Sequence, residues 1–452
     1  MSSKTVSRAQ RVVRKTKTPE FNFSAQDVGA VSEAIGEPES MAKARMHAWE
    51  QYQKFPMPTL KDEPWRRTDI RTLPADRVEL KPVEDIPVDP SLLEPLLGDE
   101  HGSLLVLRPG YAPELRADAS VGEQGVIFTD FATALREHSE ALADYIGQIV
   151  RPEEGKFAAL ATAMAGDGVV LYVPEGVHVE QPMHSILWAP GAGEVFFSRV
   201  LIVVEKGASA TFIHEAASPN EEEGEAVHNG IVEIHVGDGA NLKFVELQNL
   251  GEHTWNFTHE RAKVGQDANL DWIFGAVGSR LTKNFSDIDL LGDGATARMS
   301  GFYFADGHQH LDHDTQQNHM APHTTSDLLY KGGLIGHGRS VWQGMIYVAP
   351  GAQQTDGYQA NRNLVLSKTA RADSIPGLEI MANDVRCTHG ATIGQLEEEP
   401  IFYLMTRGIT RAEAERLVID GFFSPIMERI PFEGVRNRFE EMIDVKLGTQ
   451  TT

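Results

Sequence analysis

The chain has 452 residues, of which 41% are hydrophobic and 23% charged, the profile of a soluble globular protein with two or three structural units. Acidic residues outnumber basic ones 65 to 41, a net charge of -24, which excludes a nucleic-acid-binding surface over most of the chain because phosphate binding needs the opposite sign. One cysteine excludes an internal disulfide and points to a reducing cytoplasmic setting, and apolar runs such as "RVLIVVEK" (199–206) fall far short of the ~18 residues of a membrane span.

Residues 1–23 form the first predicted unit. "MSSKTVSRAQRVVRKTK" has six Lys or Arg and no acid, which predicts a disordered, solvated basic tail; an organellar transit peptide shares that composition. From 24 to 100 the expectation is a helical region followed by a linker. "PESMAKARMHAWEQYQKFPMP" offers Ser40 as an N-cap, Met41, Ala44 and Ala48 at helical spacing, and a stop at Pro56. "LKPVEDIPVDPSLLEPL" (80–96) is Pro-rich and acidic, the texture of a linker.

From 101 to 395 short β-rich runs alternate with Gly- and Asp-containing turns. One turn recurs: "KGASATF" at 206, "DGANLKF" at 238, "QDANLDW" at 266 and "DGATARM" at 293, at spacings of 32, 28 and 27 residues. Regular recurrence of a strand-bearing unit predicts a β-solenoid, with Gly and Asp at stacked corners and Ala where coils crowd. An antiparallel β-sandwich is the competing fold. From 396 to 452 the pattern is helical again. Pro400 and Gly408 bracket one helix. Thr410 and Glu413 form a capping box for a second that stops at Gly421, and Val435, Phe439 and Ile443 space a third. The apolar stripe of Leu417, Val418, Phe422, Phe423, Val435 and Phe439 exceeds what so small a unit can bury, so the solenoid or a partner must cover it.

No Walker A sequence, G-x-S-x-G elbow or H-E-x-x-H helix is present, and "GAGEVF" (191–196) fails as a dinucleotide fingerprint. Two polar clusters remain. "GHQHLDHDTQQNHMAPHTTSD" (307–327) holds five histidines with Asp312 and Asp314; the reading favoured is polar corners and internal hydrogen bonding, with a metal site as the alternative. In "NDVRCTHGATIG" (383–394), Cys387 and His389 point the same way on a strand, and a thiolate beside an imidazole suits Fe, Zn or Cu(I). A buried inert cysteine is the other reading, and two ligands make only half a site.

The stretch 330–409, "YKGGLIGHGRSVWQG…CTHGATIGQLEEEPIFYLMTRGI", closely resembles the SufB/SufD family of iron–sulfur cluster assembly proteins. The resemblance extends through "LDHDTQQNHMAPHTTSD", "YVPEGVHVEQPM" (172–183) and "DEPWRRTDIR" (62–71). It implies a right-handed parallel β-helix core flanked by N-terminal and C-terminal helical regions. It also implies two partners: a SufB-like paralogue met through the β-helix, and a SufC-like ABC ATPase met through the 396–452 helices. The scaffold-type paralogue carries a cysteine about 17 residues before the position of Cys387 and a glutamate at the position of His389. Here those positions are Ala370 and His389, and "DVRCTHGAT" has the SufD form. The resemblance thus implies a non-catalytic subunit whose Cys387 and His389 face the paralogue and ligate transient iron or a nascent iron–sulfur cluster. A cysteine desulfurase system acts on the complex indirectly, and the family allows a flavin there. Alone, the chain is expected to homodimerise. The other function class is a β-helix carbohydrate-active enzyme using Asp and His on a solenoid face.

Overall fold

The computed structural model describes residues 19–80, 102–108, 112–189, 191–221, 223–430 and 433–448, and the side chains of Val435 and Phe439 lie outside that set. The linker expected at 80–96 therefore lies, beyond residue 80, outside the described residues, as do the first 18 positions of the expected tail. The end of that tail shifts. Phe21 is buried and Phe23 packs edge-on against Phe197 at 5.8 Å, so packed chain begins before residue 23.

Helix α1 (Ala25–Ile35) starts at a capping box in which Ser24 and Asp27 bond each other's backbone. Helix α2 (Glu39–Lys54) corrects two expectations. Its N-cap is Pro38, which makes no side-chain bond, and Ser40 lies inside the helix. Its buried face is Arg45, Ala48, Trp49 and Tyr52, while Ala44 is exposed. The face turns because Arg45 is drawn inward: its guanidinium donates to Glu37 and to the carbonyl oxygens of Ala163 and Ala165, so its charge is paired where it is buried.

Two short strands, β1 (Ser103–Leu107) and β2 (Glu114–Arg116), pair antiparallel. Helices then interrupt the expected β-texture: α3 (Ala119–Glu123), α4 (Phe131–Glu137), α5 (Ser139–Leu142) and α6 (Lys156–Met164), with β3 (Ile127–Asp130) among them. Most are too short to show a period. Every residue of α6, "KFAALATAM", is buried, so that helix has no polar stripe to betray it.

The solenoid follows as sixteen strands in two sheets. The even strands are β4 (Asp167–Val173), β6 (Val195–Val204), β8 (Ala226–Val236), β10 (Thr254–Val264), β12 (Leu281–Leu290), β14 (His310–His319), β16 (Arg339–Val348) and β18 (Arg371–Ile380). The odd strands are β5 (Met183–Trp188), β7 (Ser209–Ala217), β9 (Asn241–Asn249), β11 (Asn269–Ala276), β13 (Thr296–Ala305), β15 (Thr325–Leu334), β17 (Asp356–Val365) and β19 (Arg386–Gly394). Each pairs in parallel with the next strand of its own sheet, which is the β-solenoid and not the sandwich. The recurring turns stack as corners. The Gly207 N–H donates to the Asp238 carbonyl at 2.8 Å, Gly239 to Gln266 at 2.7 Å, and Asp267 to Asp293 at 2.9 Å. Gly207, Gly239, Asp267 and Gly294 adopt φ of 65°, 67°, 52° and 72°, the left-handed corner conformation. Ala208, Ala240, Ala268 and Ala295 are buried beneath them.

At the first end each sheet finishes in a short antiparallel strand, β3 on β4 and β2 on the far side of β1, and these become its edges. At the other end, among the described residues, β18 pairs only with β16 and β19 only with β17. Helices cover both outer faces. α2 and α6 lie on the even sheet over Phe197, Val227, Trp255 and Phe257. At the C-terminus come α7 (Glu398–Thr406), α8 (Arg411–Met427) and α9 (Glu433–Leu447). The Thr410–Glu413 capping box forms as expected. The expected stop at Gly421 does not hold, because Phe423, Ile426 and Met427 bury on Phe304 and Leu329 of the odd sheet, and that packing outweighs the ~1 kcal/mol a mid-helix glycine costs. The expected stripe therefore splits: Phe423 is buried, Val418 and Phe422 are half-buried, Leu417 is exposed, and the Val435 and Phe439 side chains lie outside the described set.

Candidate metal half-site at the open end of the solenoid

Strand alternation and parallel register stack lumen residues into columns. One column of the odd sheet runs Leu242, Leu270, Ala297, Ser326, Gly357, Cys387. The next runs Phe244, Trp272, Met299, Leu328, Gln359, His389. Both begin apolar and end on the two candidate ligands. The C-x-H spacing thus delivers Cys387 and His389 side by side on the lumen face of the last strand, the former half-buried and the latter exposed.

Cys387 packs against the buried cluster of Ile346, Val348, Ala349, Ala352 and Ala382. Burial pushes its thiol above the ordinary range; a backbone bond at Gly357 opposes the shift and the Asp356 carboxylate adds to it. The raised pKa keeps the sulfur a thiol in the isolated chain, and any metal ligated there would have to displace that proton. Beneath it, Gly357 leaves a gap that a Cβ would fill, 3.3 Å from the Cys387 Sγ and 3.4 Å from the His319 Nε2. His319 is buried and neutral, its pKa lowered by burial to about 4, and its ring nitrogens share hydrogen bonds with Thr324 (2.8 Å) and Ser326 (2.9 Å). Under His389, the Gln359 amide donates to the Gly377 carbonyl at 2.8 Å while its buried Oε1 has no partner. Sequence reasoning missed Gly357 and Gln359, and it placed His319 in the 307–327 cluster without its position beneath Cys387. Their only signal is the coil period, which brings residues some 30 positions apart into one column.

The 307–327 cluster does not converge. His313 and His319 enter the lumen, while Asp312 and Asp314 face outward onto Lys283 at 3.0 and 2.9 Å. His310 meets Thr68 at 2.9 Å, and His308 stacks on His337 in the turns with ring centroids 4.9 Å apart. Among the described residues, no three His, Cys, Asp or Glu side chains are grouped to hold a metal ion. No described helix is long and apolar enough to cross a membrane.

The open end is ringed by apolar side chains: Ile380 is 38%, Met381 54% and Ile393 52% exposed. A second apolar exposure, also missed, lies on α7, where Phe402 is 68% and Tyr403 57% exposed. Its signal was "PIFYLMT", apolar on every side of a short helix, which implies cover from something else.

Among the described residues the chain is a parallel β-solenoid with a thiol–imidazole pair in its last coil and exposed apolar side chains at that end and on α7. Residues 187–422 match the family model "SUF system FeS cluster assembly, SufBD core domain" and residues 102–184 match "SufBD protein N-terminal region". The chain belongs to this SufBD family of iron–sulfur cluster assembly proteins, and it is SufD-like. It is 31% identical to the iron–sulfur cluster assembly protein SufD of Bacillus subtilis, over 92% of this chain and 96% of that one. It is 28% identical to a SufBD family protein of Staphylococcus haemolyticus and 27% to one of Staphylococcus epidermidis, each over 90% of this chain and 89% of the relative. The family assignment replaces the carbohydrate-active alternative.

Proposed function

We propose that the chain is a non-catalytic subunit of a cytoplasmic iron–sulfur cluster assembly complex. Its open end docks a SufB-like paralogue, and Cys387 and His389 supply one side of a site for iron or a nascent cluster, which here is cargo. The observation that carries this reading is the pairing of two features at one place: long parallel strands β18 and β19, each bonded on one side only among the described residues, and two metal-competent side chains side by side on β19. Unpaired strand edges seek a partner, and one thiolate with one imidazole leaves a four-ligand site two short. Expressed alone, the chain would satisfy the same edges with a second copy. The C-terminal helices dock a SufC-like ATPase, for which the exposed Phe402 and Tyr403 provide aromatic anchors. A cysteine desulfurase system delivers sulfur to the assembled complex, and a flavin bound there would serve the complex as a whole.

The test is reconstitution with the paralogue and the ATPase, followed by iron and sulfide supply. Cys387→Ser and His389→Ala should leave the complex assembled and the melting profile unchanged while lowering cluster yield, read as bound iron and sulfide. Wild-type yield from both variants would sink the half-site.

A further inference from the structure

The solenoid corner that leads from the odd sheet to the even sheet carries the dipeptide Gly-His twice, at 307–308 and 336–337, one coil apart. The first turn joins β13 to β14 and the second joins β15 to β16. They lie directly on one another, with the His337 N–H donating to the Gly307 carbonyl at 2.9 Å. Gly307 and Gly336 take φ of 49° and 63°, so the two turns share the left-handed backbone shape and project their histidines alike. The imidazole rings stack with centroids 4.9 Å apart and planes within 1° of parallel. Both residues are exposed, and the turns one coil below and one coil above, within 277–280 and 366–370, carry no histidine.

The backbones beneath the two rings are held in place. Lys446 of α9 donates to Asp306 at 2.5 Å and to Gln309 at 2.7 Å, which flank His308. The Gln309 amide also donates to the Ser279 carbonyl at 2.7 Å in the turn below. In the second turn the Gly336 N–H donates to the Ser367 Oγ at 2.7 Å and the Gly338 N–H to the Ile335 carbonyl at 3.0 Å.

A carboxylate reaches the same corner. Glu252, from the turn between β9 and β10, is exposed, and its Oε2 lies 3.7 Å from where a Cβ on Gly307 would stand. With a net charge of -24 on the whole chain, a cation is drawn to this corner. The other histidines of strand β14 are occupied within the fold: His310 meets Thr68, and His313 and His319 enter the lumen.

We propose that His308 and His337 form a two-point chelate for a divalent transition metal ion of the zinc, nickel or copper(II) type, with water in the remaining positions. Imidazole nitrogen is the side-chain donor these ions favour. Metal–nitrogen bonds of about 2.0–2.1 Å place two nitrogens on one tetrahedral ion about 3.3 Å apart. From rings 4.9 Å apart each nitrogen reaches that spacing by moving less than about 1 Å, which exposed side chains do by rotation about χ1 and χ2. Once one ring holds the ion, the stacked turns make the second bond intramolecular, so the pair binds far more tightly than either histidine alone. Magnesium, which takes oxygen ligands, gains nothing from the pair. The site goes beyond the cluster-assembly reading and shares no residue with Cys387 and His389, so either can fail without the other.

The test is calorimetric titration of the full chain carrying Cys387→Ser and His389→Ala, which removes the half-site as a competitor, with nickel, zinc and magnesium chlorides in a non-chelating buffer. Nickel and zinc should each fill one site with a Kd on the order of 10 μM, and magnesium should give no saturable heat. His308→Ala and His337→Ala should each weaken binding about tenfold or more, and the double variant should lose little beyond either single one, because breaking one arm already breaks the chelate. Both residues lie exposed in turns, so the metal-free variants should keep the parent's melting temperature, and nickel should raise that temperature in the parent and not in the double variant. A wild-type Kd in either single variant, additive losses in the double variant, or magnesium binding as tightly as nickel overturns the proposal.

Discussion

At the N-terminal end of the solenoid the lumen holds Leu171, Ile202, Ile234, Phe212 and Phe244, and each sheet ends in a short antiparallel strand. At the C-terminal end the odd-sheet columns carry Ser326, Gly357, Gln359, Cys387 and His389, and nothing described caps the last two strands. Between them the filling grades from hydrocarbon to polar. Glu260, Asn284, His313 and Gln317 are all buried in the middle coils. A solenoid's stability is roughly a sum over coils and their interfaces. The apolar coils supply most of it here, which leaves the last coils free to carry groups chosen for chemistry.

The largest effect expected from that contrast is on folding. Phe212 is fully buried and stacked on Phe244 at 5.7 Å, so Phe212→Ala should cost about 3–5 kcal/mol. Ile393 is 52% exposed, so Ile393→Ala should cost below about 1 kcal/mol in the isolated chain. Urea denaturation of the two variants gives both numbers. Equal losses would mean that the ends are not energetically distinct.

The graded middle makes a prediction about pH. His313 is buried among Phe274, Tyr303 and Tyr330, neither ring nitrogen has a partner, and burial lowers its pKa to about 3. The native state thus resists protonating it while the unfolded chain titrates near the ordinary value of about 6.5. Its neutral form contributes stability fully present above that value and lost progressively as pH falls toward about 3. His313→Leu removes two unsatisfied nitrogens and should stabilise by about 1–2 kcal/mol at neutral pH. Its advantage over wild type should grow by up to about 1.4 kcal/mol per pH unit below 6.5. Urea midpoints of both proteins from pH 7.5 to 4.5 check it; parallel curves would show that His313 is not held neutral.

The outer faces repeat the contrast on a smaller scale. α8 is fixed to the odd sheet through Ile419, Phe423 and Ile426, so removing residues 409–452 would strip cover from Phe304 as well as any docking surface. Phe402→Ser with Tyr403→Ser on α7 is the sharper change. It should weaken ATPase association by about 1–2 kcal/mol or more in a pull-down titration while leaving the melting temperature in place. Unweakened association would move the ATPase contact off α7.

What the sequence revealed and what it hid divide along physical lines. The corners were legible at 206, 238, 266 and 293 because each needs the same backbone conformation and so repeats the same residue types. The C-x-H pair was legible because strand alternation is a local rule. The short helices α3–α5 were hidden because none repeats the helical period more than about twice, and α6 because every one of its residues is buried. The inward turn of Arg45 was hidden because its partners at Ala163 and Ala165 lie far along the chain. The residues beneath the half-site were hidden for a like reason. Only the parallel register places Gly357 under Cys387 and Gln359 under His389.

The smallest expected effect tests whether the open end moves. Cys387 is the chain's only thiol, so mass spectrometry of maleimide adducts on this chain reports one site. In the isolated chain the thiol is half-buried and its pKa is raised, so labelling at neutral pH should be slow and should speed up as pH rises and thiolate forms. Adding the paralogue should slow it further, because docking covers β19. If ATP draws two ATPase subunits together, the C-terminal helices that pack on Phe304 and Leu364 would carry that motion into the last coils, and labelling should recover several-fold. The route is short: Leu364 lies on β17, the strand that also holds Gly357 beneath the thiol. An unchanged rate with and without ATP would leave static coordination at the open end and remove nucleotide-driven opening.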